Sequence, residues 1–160
     1  MKLAKTVSLI GSFRKYYDEF VRIKKIFEDR GIFVTSPSGA PITPETREKL
    51  FVRLESDSMH YSNAEIQSIT LKKILNSSCV YVVCPDGYIG RTTCYEIGRV
   101  IQAKKAIYFQ YEVNDLPIFI PKSHILSPEE LVRRLLTDSV KWIYDFEVGR
   151  NIQIEQLLVK

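Results

Sequence analysis

The segment Val80 to Ile101, VYVVCPDGYIGRTTCYEIGRVI, constrains the fold more than any other part of the chain. It opens on Val80-Tyr81-Val82-Val83-Cys84, a continuous apolar run rich in β-branched residues and too short for a buried helix. Such a run reads as a strand covered on both faces, as in a parallel sheet. Pro85-Asp86-Gly87-Tyr88-Ile89-Gly90 then supplies turn residues. From Thr92 or Thr93 onward the apolar spacing becomes helical, with Cys94, Ile97, Val100 and Ile101 on one face and Glu96 in the first turn. A strand, a glycine-bearing loop and a helix opening on a carboxylate describe a ligand site at the carboxyl edge of a parallel sheet.

The flanking sequence repeats the alternation. Thr6-Val7-Ser8-Leu9-Ile10 reads as a first strand, followed by Gly11-Ser12-Phe13-Arg14 and a helix from about Tyr16 to Arg30 with Phe20, Ile23, Ile26 and Phe27 as its apolar stripe. Gly31 suits the helix end, and Ile32-Phe33-Val34-Thr35 follows as a second strand. Strand, helix, strand implies a right-handed crossover and a parallel sheet. Ser62-Asn63-Ala64-Glu65 is a capping box for a helix that points Ile66, Ile69, Thr70, Ile74 and Leu75 toward the core. Ala106-Ile107-Tyr108-Phe109 reads as a fourth strand. Ser36 to Tyr61 is an irregular connection, long enough to be a lid, a binding loop or disordered. Within it, Thr43-Pro44-Glu45-Thr46 suggests a short helix and Phe51 to Glu55 a brief strand or helical turn.

Past the fourth strand, Leu116 to Ile120 contains Pro117 and reads as an edge strand or extended loop, and Ser127-Pro128-Glu129-Glu130 starts another helix. Val140 to Tyr144 suggests a last edge strand or an interface segment, and Ile152, Ile154, Leu157 and Leu158 a terminal helix. The expected architecture is α/β: a single-domain doubly wound parallel sheet of the Rossmann or flavodoxin-like kind, flanked by helices. One domain over residues 1–160 is expected, with its core at about 6–109 and a C-terminal extension at 110–160.

Composition narrows the partners. The 160 residues are 45% hydrophobic and 26% charged, ordinary for a globular domain. No apolar run approaches the roughly 18 residues of a membrane span, and Met1 to Lys5 leads into a strand without a signal-peptide core, so a cytoplasmic protein without a membrane partner is expected. The net charge of +4 is dispersed over pairs such as Lys24-Lys25 and Arg133-Arg134, which favours solvated helix faces over a groove for polymeric nucleic acid. Three cysteines without C-x-x-C spacing and two histidines without a ligand motif predict neither a disulfide framework nor a metal site.

Two places carry candidate chemistry, each with two readings. At Gly11-Ser12-Phe13-Arg14, a glycine and a helix start suit an anion, with a Ser12 hydroxyl and an Arg14 fork for phosphate. In the other reading Ser12 caps the helix and Arg14 is solvated. At Thr93-Cys94-Tyr95-Glu96, Glu96 either closes a capping box with Thr93 and pairs with Arg99, or serves as an ionised nucleophile held at a helix start. Asp86, Tyr88, Thr92 and Thr93 are close in sequence and offer acid, hydrogen-bonding and hydroxyl groups for glycosidic chemistry.

These residues also carry a family resemblance. Gly11-Ser12-Phe13-Arg14 resembles the G-S-x-R loop of the 2′-deoxynucleoside 5′-monophosphate N-glycosidases, and Tyr95-Glu96-Ile97-Gly98-Arg99-Val100 resembles their Y-E-L-G-R-A segment. More broadly, Thr6 to Phe109 is similar to the nucleoside 2-deoxyribosyltransferase superfamily. The resemblance implies an enzyme, hydrolase or transferase, without a cofactor, acting on a small nucleoside or nucleoside 5′-monophosphate. Glu96 would attack C1′; the family's assisting aspartate has no match in this chain, and Asp86 or Glu65 is left to take its part. Gly11, Ser12, Phe13 and Arg14 would hold a 5′-phosphate, with Tyr88, Gly90, Thr92 and Thr93 against the substrate. It further implies a homo-oligomer, dimer or higher. The chain departs from the pattern at Thr70, where an ungapped match expects an aspartate, and in the loop Gly87 to Thr93, which lacks the G-x-G form. A nucleotide-sensing module on the same fold is the alternative that Thr70 favours.

Overall fold

The computed structural model describes residues 5–49 and 51–144. Four strands, β1 (Thr6–Gly11), β2 (Phe33–Ser36), β3 (Cys79–Val83) and β4 (Ile107–Phe109), form one sheet in the order β2-β1-β3-β4. Every pairing is parallel, with Leu9 opposite Tyr81 and Tyr81 opposite Tyr108. Four α-helices complete the alternation: α1 (Tyr17–Glu28), α2 (Asn63–Asn76), α3 (Arg91–Gln102) and α4 (Pro128–Leu136). The expected doubly wound α/β sheet is the observed architecture.

Strand periodicity divides the core between the two faces of the sheet. Val7 and Leu9 of β1, Cys79, Tyr81 and Val83 of β3, and Tyr108 of β4 pack with Phe20, Ile23 and Phe27 of α1 and with Leu131, Val132 and Leu135 of α4. The intervening residues, Ile10, Val80, Val82, Ile107 and Phe109, face Ile74 of α2 and Ile97 and Val100 of α3. All of β3 is buried, which is why its sequence is apolar without alternation. On the expected α2 face, Ile66 and Ile74 are buried, but Leu71 takes the place assigned to Ile69, which is 41% exposed.

The strand expected at Val80 to Cys84 lies one residue earlier, because Cys84 already leaves the ladder to take Gln110 Oε1 through its backbone N–H. The 36–61 connection is folded against itself. It holds a short 3-10 turn at Pro44–Thr46, and an isolated antiparallel bridge joins Ile42 to Leu54. Arg53 ties it together, donating to the carbonyls of Ser58 and Tyr61 and to Asn63 Oδ1 at the start of α2. Leu116 to Ile120 forms no strand, and the edge strand expected at Val140 to Tyr144 is reduced to one antiparallel bridge, Trp142 with Ala106. The helix expected around Ile152 to Leu158 lies outside the described residues.

Candidate functional site

Strand order fixes where a site can form. β1 and β3 are neighbours, yet the chain leaving β1 enters α1 on one face and the chain leaving β3 enters α3 on the other. Their carboxyl ends therefore flank the switch point of the sheet, where open α/β folds bind ligands. Both candidate loops lie there, brought together from positions more than seventy residues apart in sequence only by the pairing of Gly11 with Val83.

The β1–α1 loop is largely committed to structure. Gly11 has φ 153°, and a Cβ on it would collide with the Val83 carbonyl and reach Phe20 Cζ at 3.0 Å. The glycine permits close approach of β1 and β3. Phe13 packs edge-on to Tyr17 at 5.4 Å and tilted against Phe20 at 4.7 Å, so it anchors the loop on the core. The Ser12 carbonyl accepts from the Lys15 and Tyr16 N–H groups, and the helix cap is Tyr16 without a side-chain bond, so Ser12 does not cap α1. Arg14 is exposed and directs Nη1 to the Glu48 and Lys49 carbonyls, 3.4 Å from each, so it reaches the long connection. Lys15 and Tyr16, which no motif in the sequence marks, carry the contacts across the switch point. Tyr16 donates its hydroxyl to the Pro85 carbonyl at 3.1 Å, and Lys15 Nζ sits 3.9 Å above the ring of Tyr88.

The β3–α3 loop places the rest. A 3-10 turn, Pro85–Gly87, holds Asp86 exposed in a left-handed conformation with its carbonyl accepting from Asn114 Nδ2. No hydrogen bond among the described residues joins Asp86 to Glu96. Tyr88 and Thr92 are exposed, Gly90 is the residue preceding α3, and Thr93 is buried in its first turn. Because α3 begins at Arg91 and no side chain caps it, Glu96 stands in the second turn and not the first. The capping box expected between Thr93 and Glu96 does not form. Arg99, the expected ion-pair partner, bonds to the Tyr95 hydroxyl at 3.1 Å. The buried stripe of α3 is Thr93, Glu96, Ile97 and Val100, so the glutamate occupies a core position facing inward, and the stripe is rotated from the expected Cys94–Ile97–Val100–Ile101 face.

Glu96 is 6% exposed. Burial pushes its carboxyl up to about 7, opposed by a hydrogen bond from Gln67 Nε2 to Oε1 at 2.9 Å. The helix N-terminus cannot dominate here, because its field fades beyond the first turn. Desolvation of a carboxylate with one amide donor and no cation holds it half protonated near neutrality, the range in which a carboxyl serves either as nucleophile or as proton carrier. Gln67 is likewise marked by no motif in the sequence. It lies one turn before Thr70 on α2, and no linear signal pairs it with Glu96, 29 positions away.

Among the described residues no group of three or more His, Cys, Asp or Glu side chains is placed to hold a metal ion, and no helix is long and apolar enough to cross a membrane. No protein-family model matches the chain, and no curated protein matches it in sequence.

Proposed function

We propose that the protein cleaves or exchanges the N-glycosidic bond of a nucleoside or nucleoside 5′-monophosphate, with Glu96 as the nucleophile. The observation that carries this reading is a buried carboxyl at the switch point, bonded to one amide and free of any ion-pair partner among the described residues, where burial pushes it up to about 7. A carboxylate retained there at the expense of stability has the chemistry of a functional group. The resemblance of Tyr95 to Val100 and of Gly11 to Arg14 to the N-glycosidase segments supports the assignment. In the reaction, a Glu96 oxygen forms a bond to C1′ as the C1′–N bond breaks and its electron pair leaves with the base, which takes a proton from solvent. Water or a second base then attacks C1′ and releases the Glu96 carboxylate.

Arg14 and Lys15 are the cations beside the β1–α1 loop suited to a 5′-phosphate, and Tyr88 offers a ring face at the rim. The folded 36–61 connection, held by Arg53 and touching Arg14, supplies a wall for the base. Incubation with a panel of nucleosides and 5′-monophosphates, read as free base by chromatography, tests the proposal. Base release from at least one member, abolished in Glu96→Gln, is expected; a wild-type protein that leaves every member intact overturns it.

A second reading has its own observation. The polar partner of Glu96 is an amide, which cannot relay a proton, as suits a sensing module that binds a nucleotide without turnover. That module gives saturable calorimetric binding with the ligand recovered whole.

A further inference from the structure

We infer that Gln67 is the positioning residue of this site: its amide holds Glu96 Oε1 and leaves Oε2 as the oxygen presented to C1′, an inference that rests on the N-glycosidase reading. The two oxygens of Glu96 are not equivalent. Oε1 accepts from Gln67 Nε2 at 2.9 Å, whereas Oε2 has no hydrogen-bond partner among the described residues. Nor is Oε2 among the partnerless side-chain atoms sealed from solvent; Trp142 Nε1 is the described atom in that condition. The residual exposure of Glu96 is therefore where a substrate atom can meet its unpaired oxygen.

The donor is held on a separate, well-fixed element. Gln67 lies in the second turn of α2, whose start is closed by reciprocal Ser62 and Glu65 bonds and by Arg53 Nε to Asn63 Oδ1 at 2.9 Å. α2 and α3 pack on the same face of the sheet, which brings the Gln67 amide within hydrogen-bonding reach of the Glu96 carboxylate. No charged side chain competes for this role: burial and Gln67 alone act on the Glu96 carboxyl, and Arg99 is turned to Tyr95. An amide donor stabilises and orients the carboxylate yet cannot take its proton, so the nucleophile is not quenched by its own support.

Gln67→Met keeps the length of the side chain and removes the donor. Its test is the titration of the Glu96 carboxyl carbon by NMR, assigned through its loss in Glu96→Gln, together with kcat and KM for base release. The Glu96 titration is expected to rise by about one pH unit, the scale of one hydrogen bond to a buried charge. At pH 7.5 kcat is expected to fall about 3-fold, the loss of ionised carboxylate that such a shift produces, with KM within about 2-fold, and the acid limb of its pH profile moves upward. Gln67→Glu supplies a second variant: a carboxylate against a carboxylate also raises the Glu96 titration. An unmoved titration in a folded variant of an active enzyme overturns the role of Gln67 while leaving the glycosidase reading intact. A titration that moves in Gln67→Met while the wild-type protein releases no base overturns the glycosidase reading, and the role of Oε2 with it.

Discussion

Glu65 and Glu96 occupy the same sequence pattern, a hydroxyl residue followed three positions later by glutamate at the opening of a helix, and the structure treats them in opposite ways. Glu65 is exposed and closes a capping box, accepting from the Ser62 N–H at 2.7 Å while Ser62 Oγ accepts from its own N–H at 3.2 Å. Those bonds hold its carboxyl below the usual range. Glu130 repeats the arrangement with Ser127 at the start of α4. Glu96 makes no cap; it is buried in the second turn and burial pushes its carboxyl up. The residue type is shared, and the depth of the helix against the sheet decides whether the carboxyl stabilises a helix end or is held out of water. A cap lowers the free energy of the fold, whereas a buried carboxyl with a single amide donor and no cation raises it.

The largest effect that separates the two is on activity. If Glu96 is the nucleophile of the proposed glycosidase, Glu96→Gln is expected to lower base release on the order of 10⁴-fold or more. Glu65→Gln is expected to leave the rate within about 2-fold. Equal losses in both variants, measured on the same substrate, would break the contrast.

Next in size is the dependence of stability on pH. The folded form of Glu96 keeps its proton up to about 7, against 4.5 for an ordinary glutamate, so between these limits the native state binds more protons than the unfolded chain. The free energy of unfolding contributed by Glu96 therefore falls as pH rises through that window, by about 3 kcal/mol in all. Glu65 has the opposite sign: its lowered value gives stability that is present above the unfolded value and lost as pH falls through the folded one. His124, buried and lowered by desolvation, adds stability as pH rises toward 6.5 and must be cancelled by difference. Urea unfolding of wild type and Glu96→Gln at pH 5 and pH 8 makes that subtraction. The variant is expected to gain stability over the wild type at pH 8 and little at pH 5; a gain independent of pH would contradict the buried carboxyl.

The smallest effect is at the caps. Ser62→Ala and Ser127→Ala each lose a side-chain acceptor at an exposed helix start and are expected to cost about 1 kcal/mol. Thr93→Val keeps the shape of a buried residue that caps nothing and is expected to cost less than either serine variant. A Thr93→Val cost that matches Ser62→Ala in chemical denaturation would restore the capping box to α3.

The elements were legible because their causes are local. An apolar β-branched run marks β3, a proline at the first position and a serine before it mark α4, and three- and four-residue spacing marks the α1 stripe. Distant causes leave no such mark. Cys94, Ile97, Val100 and Ile101 stand out in the sequence of α3 because a glutamate at a core position breaks the apolar pattern that defines a stripe. Gly11 suits a backbone approached by a ligand, yet its neighbour is the Val83 carbonyl of an adjacent strand. The 36–61 connection gave no periodic signal, since Arg53 and a single bridge organise it instead of a repeating pattern.

The sequence by itself determined the alternation of strands and helices and the capping of α2, because hydrogen bonds and side-chain periodicity within a few residues suffice for both. It also singled out Glu96, through the short segment around it. Only the tertiary structure decided the state of that carboxyl. Its depth, its raised titration and its bond to Gln67 depend on α2 and α3 lying together on one face of a sheet whose central strands are separated widely in sequence. Desolvation is a property of everything that surrounds a group, and no neighbour in the chain specifies it.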